Sequence, residues 1–315
     1  MIETTADQRI RKLRAPKPAA DPWRAHGSLL EEERRPDGQV ERALTVFLVG
    51  AECPYTCSFC DLWRWTIDGP TPPGALVAQL RDVIDATAPP TPDRVKLYNA
   101  SNFFDSRAVP VEDLPAIATL AAPFGGVTVE SHARMIGPRT LEFARMLSGT
   151  LEVAVGLETI HPTAMQHINK RLSLTRFDSA SGYVADHGIA LRVFVLLNAP
   201  YVPADEAVEW TVRSVEYAAR RGASVVAIIP VRGGNGEMER IKALGHFTPP
   251  TLSGLEDAVD RCLAFAPTVV TADLWDADKL ATCPECSSAR IARLARLNLT
   301  GKLEPRIACS ACGGR

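Results

Sequence analysis

The chain has 315 residues, enough for one large α/β domain with a small appendage, and its 46% apolar and 23% charged residues are those of an ordinary globular protein. A formal net charge of −2 excludes a globally basic nucleic-acid binder while leaving room for local patches. No apolar run approaches the roughly 20 residues of a membrane span, and the opening MIETTADQRIRKLR lacks the apolar stretch of a secretory signal, so a cytoplasmic protein without membrane attachment is expected.

Residues 1–42 are polar and proline-rich, show no sustained apolar period and read as a basic N-terminal arm or irregular lead-in. Within them Arg9, Arg11, Lys12, Arg14, Lys17 and Arg24 face one acid, Asp21, a net +5 that suits a polyanion contact as well as it suits a solvated tail. Residues 43–280 alternate short runs rich in Val, Ile and Leu with longer amphipathic stretches, the pattern of βα units on a parallel sheet. Strands are predicted at 43–49, 94–98, 126–130, 151–157, 190–197 and 224–230, and helices at 73–86, 111–120, 138–147, 174–187, 204–221 and 252–265. Six such repeats suit a partial (β/α)6 barrel, although a doubly wound sheet has similar periodicity. Cys262 stands alone in the last helix and reads as a small core residue.

The first predicted strand runs into AECPYTCSFCDLWRW, where Cys53, Cys57 and Cys60 form C-x3-C-x2-C. Three thiolates on one short loop are a metal site, and no fourth Cys or His follows within about sixty residues, so one metal position stays open to chemistry. A site immediately after a strand favours the barrel, because barrel enzymes place their chemistry at the C-terminal ends of strands. That rule selects further candidates. Asn99, Ser101 and Asn102 follow the second strand with small polar side chains. Glu130, His132 and Arg134 alternate at the end of the third and are expected on one face. Glu158 ends the fourth, Arg171 lies in the loop after it, and a Gly-rich stretch at 231–237 follows the sixth.

Residues 281–315 change character. Cys283, Cys286, Cys309 and Cys312 form two C-x2-C knuckles, and Gly313 and Gly314 supply the positive φ that a knuckle turn favours. This spacing predicts a zinc-ribbon-like module, and an auxiliary 4Fe-4S cluster uses the same four cysteines. Arg290, Arg293, Arg296, Lys302, Arg306 and Arg315 against Glu285 and Glu304 leave this segment at +4. The first three arginines, three residues apart, are expected to line one helical face as an RNA clamp.

The cysteine triplet, with Phe59 directly before its last member, resembles the radical S-adenosylmethionine (SAM) superfamily. The stretches 99–105, 129–131, 155–159, 168–170 with Phe177, and 245–250 resemble its elongator-catalytic-subunit-like branch, in particular the radical SAM proteins of archaeosine (tRNA 7-deazaguanine) biosynthesis. The resemblance implies a 4Fe-4S cluster on Cys53, Cys57 and Cys60, SAM on its open iron, and reductive cleavage of SAM to a 5′-deoxyadenosyl radical that acts on a tRNA base. It also implies an electron donor such as flavodoxin or ferredoxin. Phe59 is expected beside the adenine, Asn99, Ser101, Glu130 and Glu158 around SAM, and Arg171 at its carboxylate. Three alternatives remain. A small-molecule or peptide substrate fits the same chemistry, a nonenzymatic Fe-S or zinc nucleic-acid binder would not leave an iron position open, and a methylthiotransferase normally needs a second N-terminal cluster, whereas no Cys precedes Cys53.

Overall fold

Val95 and Leu97, Val127 and Val129, Val153 and Val155, and Val193 and Val195 are fully buried at alternate positions of successive strands, so each strand turns one apolar face outward to a layer of helices. The computed structural model describes residues 4–265 and 267–313, which leaves Gly314 and Arg315 outside the described residues. A helix α1 (Thr5–Leu13) precedes strand β1 (Gly27–Arg34), which pairs antiparallel with β2 (Val40–Phe47). Then come α2 (Ala75–Ala86), β3 (Arg94–Tyr98), α3 (Leu114–Ala121), β4 (Gly126–Glu130), α4 (Pro138–Met146) and β5 (Thr150–Glu158). The short α5 (Pro162–His167) and α6 (Leu174–Asp186) lead to β6 (Ala190–Leu197), α7 (Ala207–Arg220) and β7 (Val225–Pro230). Next are α8 (Glu237–Ala243), α9 (Leu252–Cys262), β8 (Val269–Ala272) and α10 (Ser287–Thr300). The sheet has eight strands in the order of the chain, and β2 to β8 run parallel.

This is the curled α/β barrel that the sequence pattern predicts. Its six expected strands are β2 to β7, and Cys262 is fully buried as expected. The barrel gains a strand at each edge. β1 escapes apolar-pattern reading because its lumen face is acidic: Glu31 and Glu33 both reach Lys96 of β3, at 2.5 and 2.6 Å, and Glu33 also meets Arg192 of β6 at 2.8 Å. Burial opposes a charge on Glu33, yet Arg192 and Lys96 hold its carboxyl down to about 2. The lead-in expected over 1–42 therefore contains a helix and a strand of the sheet.

The C-terminal segment also differs from expectation. Helix α10 packs on both β1 and β8, across the open side of the sheet. Two of its arginines face inward. Arg293 is 0% exposed and reaches Asp260 at 2.7 Å and the carbonyls of Glu304 and Pro305, and Arg290 is 3% exposed and reaches Glu256 at 2.7 Å. Arg296 binds Glu304 at 2.8 Å, and Arg306 binds Asp257 and Asp260. The expected RNA clamp is thus corrected: two of its three arginines are buried ion-pair partners. They recur every three residues because that face packs on α9, where Glu256 and Asp260 lie one turn apart.

Removing one member of a buried ion pair leaves an uncompensated charge and costs about 3–5 kcal/mol, whereas an exposed pair is worth about 0–1 kcal/mol. Arg293→Ala should therefore destabilise the protein by several kcal/mol in a denaturant melt, and Arg296→Ala by less than about 1 kcal/mol. Equal effects of the two would contradict the inward placement of Arg293.

Candidate active site

All the predicted barrel candidates gather at the C-terminal ends of the strands. The cysteine loop leaves β2, and side-chain amides hold it from three other segments. Asn102 Nδ2 donates to Cys53 Sγ at 3.4 Å, while its Oδ1 accepts from His132 N at 2.7 Å. Asn169 Nδ2 donates to the Thr56 carbonyl at 2.9 Å. Asn235 Nδ2 donates to the carbonyls of Ser58 at 2.8 Å and Cys60 at 3.2 Å. Asn102 and Asn169 lie in stretches that the sequence singles out, and Asn235 lies in its Gly-rich loop. Their role in supporting the loop has no sequence signature.

Lys170 is the central cation. It is 9% exposed, its Nζ lies 2.6 Å from Glu158 Oε1, and the ring of Phe59 is 6.0 Å away. Burial favours its neutral form, but the Glu158 carboxylate holds it above the usual lysine range. In turn, burial pushes the Cys57 thiol up to about 12, with Lys170 opposing. Burial also raises Cys53 and Cys60. Such thiols stay protonated until a metal competes for them, so loading the loop releases protons.

The strand register builds this pair. A bulge at Gly156–Glu158 sets two residues of β5 against one of β6, and Glu158 sits at φ +70°. A Cβ on Gly156 would lie 2.0 Å from Glu158 Oε1 and 2.6 Å from Lys170 Nζ, so a larger residue there would displace this ion pair. Glu130 Oε1 accepts from Ala100 N at 2.8 Å, and burial pushes its carboxyl up to about 7 against that bond. The alternation expected for Glu130, His132 and Arg134 ends at Glu130, where the strand stops. His132 instead caps a 3-10 turn and stacks on Tyr55 at 4.1 Å. Its Nδ1 accepts from Arg134 N and its Nε2 donates to the Lys170 carbonyl at 3.1 Å. Burial, with help from Lys170, holds it down to about 3, so it is neutral at pH 7.

Asn99 is 0% exposed and neither atom of its amide has a partner; Ser101 Oγ and Ser58 Oγ are likewise buried and unpartnered. Each such atom costs about 1–3 kcal/mol unless a ligand answers it. These unanswered groups beside three cysteines and a lysine fit a 4Fe-4S cluster with a polar cofactor. Phe59 packs beside the apolar cluster of Leu196, Ala199, Val231, Met238, Ile241 and Phe247. The guanidinium of Arg171 is held by Asp7 of α1, a partner that the sequence pattern does not indicate.

A second cysteine group lies at the C-terminus. The Sγ atoms of Cys283, Cys286, Cys309 and Cys312 all lie within 4.8 Å of one another, a set able to hold a metal ion. Gly313 closes the second knuckle at φ +62° with its N–H on the Cys309 carbonyl.

No protein-family model matches the sequence, and no curated protein matches it. Solved structures do resemble the fold. A radical SAM methyltransferase from Sphaerobacter thermophilus superposes with a TM-score of 0.52 at 16% identity, over 86% of this chain and 82% of that one. The Methanocaldococcus infernus Elp3 with an N-terminal deletion superposes with a TM-score of 0.50 at 12% identity, over 71% of this chain. The match spans 58% of the Elp3 chain. The barrel is therefore similar in fold to these two proteins. Among the described residues, no helix is long and apolar enough to cross a membrane.

The position of Glu130 makes stability depend on pH. Its carboxyl is held at about 7 against 4.5 in the unfolded chain, so the contribution is present below pH 4.5 and is lost as pH rises through 7. Glu130→Gln keeps the acceptor for Ala100 N. It should stabilise the metal-free protein at pH 8 by up to about 3 kcal/mol and leave it unchanged at pH 4, as urea unfolding at the two pH values would report. An equal effect at both would contradict the buried carboxyl.

Proposed function

We propose that the protein is a radical SAM enzyme whose 4Fe-4S cluster sits on Cys53, Cys57 and Cys60. The observation that carries this reading is that Cys53 Sγ meets Asn102 of the loop that bears the unanswered amide of Asn99 and hydroxyl of Ser101, on a barrel similar in fold to a radical SAM methyltransferase. When bound, the cluster supplies the electron that splits SAM into methionine and a 5′-deoxyadenosyl radical. Asn99, Ser101 and Glu130 would hold the polar groups of SAM, and Phe59 would line the adenine. Lys170 offsets the negative charge of thiolates and cluster, and Glu158 fixes its ammonium. The electron donor would be a flavodoxin or ferredoxin. Anaerobically reconstituted protein should form 5′-deoxyadenosine under dithionite, and Cys57→Ala should lose both the iron and the cleavage. Cleavage that survives Cys57→Ala would overturn the assignment.

For the C-terminal cysteines we propose zinc. A tetrahedron of Zn–S bonds of about 2.3 Å has edges of about 3.8 Å. The separations of 3.9 Å for Cys283–Cys309 and 3.6 Å for Cys286–Cys312 match that size. A cubane cluster would hold its sulfurs much farther apart, because the Fe4S4 core stands between them. Aerobically purified protein should carry about one zinc per chain. Close to eight irons and no zinc after anaerobic reconstitution would overturn this.

The substrate we propose is a tRNA base, as the resemblance to the archaeosine-biosynthesis proteins implies. With the terminal arginines paired internally, the charges available for phosphates lie beside the site. Arg134 and Arg176 donate to the backbone carbonyls of Arg171 and Arg134, and neither meets a carboxylate among the described residues. Arg134→Ala with Arg176→Ala should lower tRNA affinity and reduce its log-log salt slope by about 1.4–1.8, read by gel shifts at several salt concentrations. No tRNA binding by the wild-type chain would favour a small-molecule or peptide substrate.

A further inference from the structure

Two cysteines of the triplet have a neighbour gripped by the N-terminal arm, and the third is reached through Asn235. Glu52, one residue before Cys53, accepts from Arg14 at 2.7 Å and lies 3.8 Å from Lys17, whose ammonium also meets Asp68 at 2.8 Å. Thr56, one residue before Cys57, donates its hydroxyl to Asp7 Oδ1, which also accepts from Asn169 Nδ2 at 2.9 Å. The carbonyl of Cys60 is held by Asn235, and the next two residues after that asparagine lie under α1. Arg9 pairs with Glu237 at 3.0 Å, and Gly236 packs so closely that a Cβ there would lie 2.1 Å from the Leu13 carbonyl oxygen.

Asp7 is the centre of this contact. It is 4% exposed, and its second oxygen accepts from Thr4 N at 2.7 Å, Thr4 Oγ1 at 2.9 Å and the Arg171 guanidinium. A helix cap needs only the two bonds within Thr4–Asp7. The three others come from the cysteine loop and from the loop after β5, 162 to 164 residues away along the chain for Asn169 and Arg171.

We infer that the arm is the outer wall of the cysteine loop and that Asp7 is a positioning residue, tying Thr56 to the Asn169–Arg171 segment and thereby setting the loop before any metal arrives. Three of the six cations that the sequence shows over 9–24 serve this wall, since Arg9, Arg14 and Lys17 pair with Glu237, Glu52 and Asp68 of the barrel. Arg11 lines the cleft of about 210 Å3 that opens beside Cys53, between Glu52, Asp68 and Arg107, so the arm also borders the solvent path to the first cysteine. The consequence for iron rests on the proposed cluster; the consequence for the metal-free loop does not.

The test uses the full chain carrying Asp7→Ala. In metal-free protein, amide hydrogen exchange over residues 52–60 should accelerate about tenfold or more, with the amides of β3 to β6 unchanged. After anaerobic reconstitution, a chelator should strip iron from the variant roughly 10- to 100-fold faster, as is usual for a lost residue supporting a metal ligand. Arg14→Ala with Lys17→Ala acts through Glu52 and leaves Asp7 intact; it should loosen the same segment to a smaller degree, and it carries the test should Asp7→Ala fail to fold. Unchanged exchange at 52–60, or acceleration spread evenly over the whole sheet, would overturn the inference. Should the wild-type chain take up no iron, the cluster proposal fails while the exchange comparison still judges the arm.

Discussion

A carboxylate inside a barrel must be answered by cations from other strands, and Glu33 is answered by two, Lys96 of β3 and Arg192 of β6. Arg192 also meets Glu152 of β5 at 2.8 Å, Glu152 accepts from Thr128 of β4, and Arg94 of β3 binds Glu41 of β2 at 2.6 Å. Six strands are thereby tied at one level of the lumen. A slip of one residue in any of them would turn its charge toward the helices and leave partners unpaired. This network explains why the barrel begins with an antiparallel, acidic strand: without β1, Lys96 would lose both its carboxylates. Above the ionic floor Phe47, Tyr98 and Phe194 are only half-buried.

The cysteine loop is supported by different chemistry. Asn102, Asn169 and Asn235 can donate to carbonyls and to sulfur without adding charge, whereas carboxylates in those places would repel thiolates and the cluster proposed for them. The buried cation among the thiols is Lys170, and the acids near it are either paired, as Glu158 is, or held toward neutrality by burial, as Glu130 is. Asp7 is the exception, and its charge is matched by Arg171. The result is a site whose electrostatics favour three thiolates while its backbone is held by neutral groups.

Charge summed along a sequence window says little about charge available at a surface. In each charged segment three basic side chains meet acids distant in sequence: Arg290, Arg293 and Arg306 meet Glu256, Asp257 and Asp260, and Arg9, Arg14 and Lys17 meet Glu237, Glu52 and Asp68. Arg134 and Arg176, which meet no carboxylate among the described residues, belong to no charge run and could not be distinguished from other scattered arginines before the fold brought them together.

The sequence by itself determined the repeating strand-helix order of β2 to β7, the place of the cysteine triplet after the first of these, and the two C-terminal knuckles. It did so because apolar periodicity and cysteine spacing are local signals that survive in any compact fold. Tertiary structure alone decided the rest. The strand β1 is invisible to apolar patterning because it answers Lys96 and Arg192 rather than a core. Arg171 looked free because its partner, Asp7, lies 164 residues earlier. The arginines of α10 looked like a solvent-facing stripe because their partners lie on α9, more than 30 residues back. In each case the deciding term is the pairing of a charge with a partner remote in sequence, and local pattern carries no information about it.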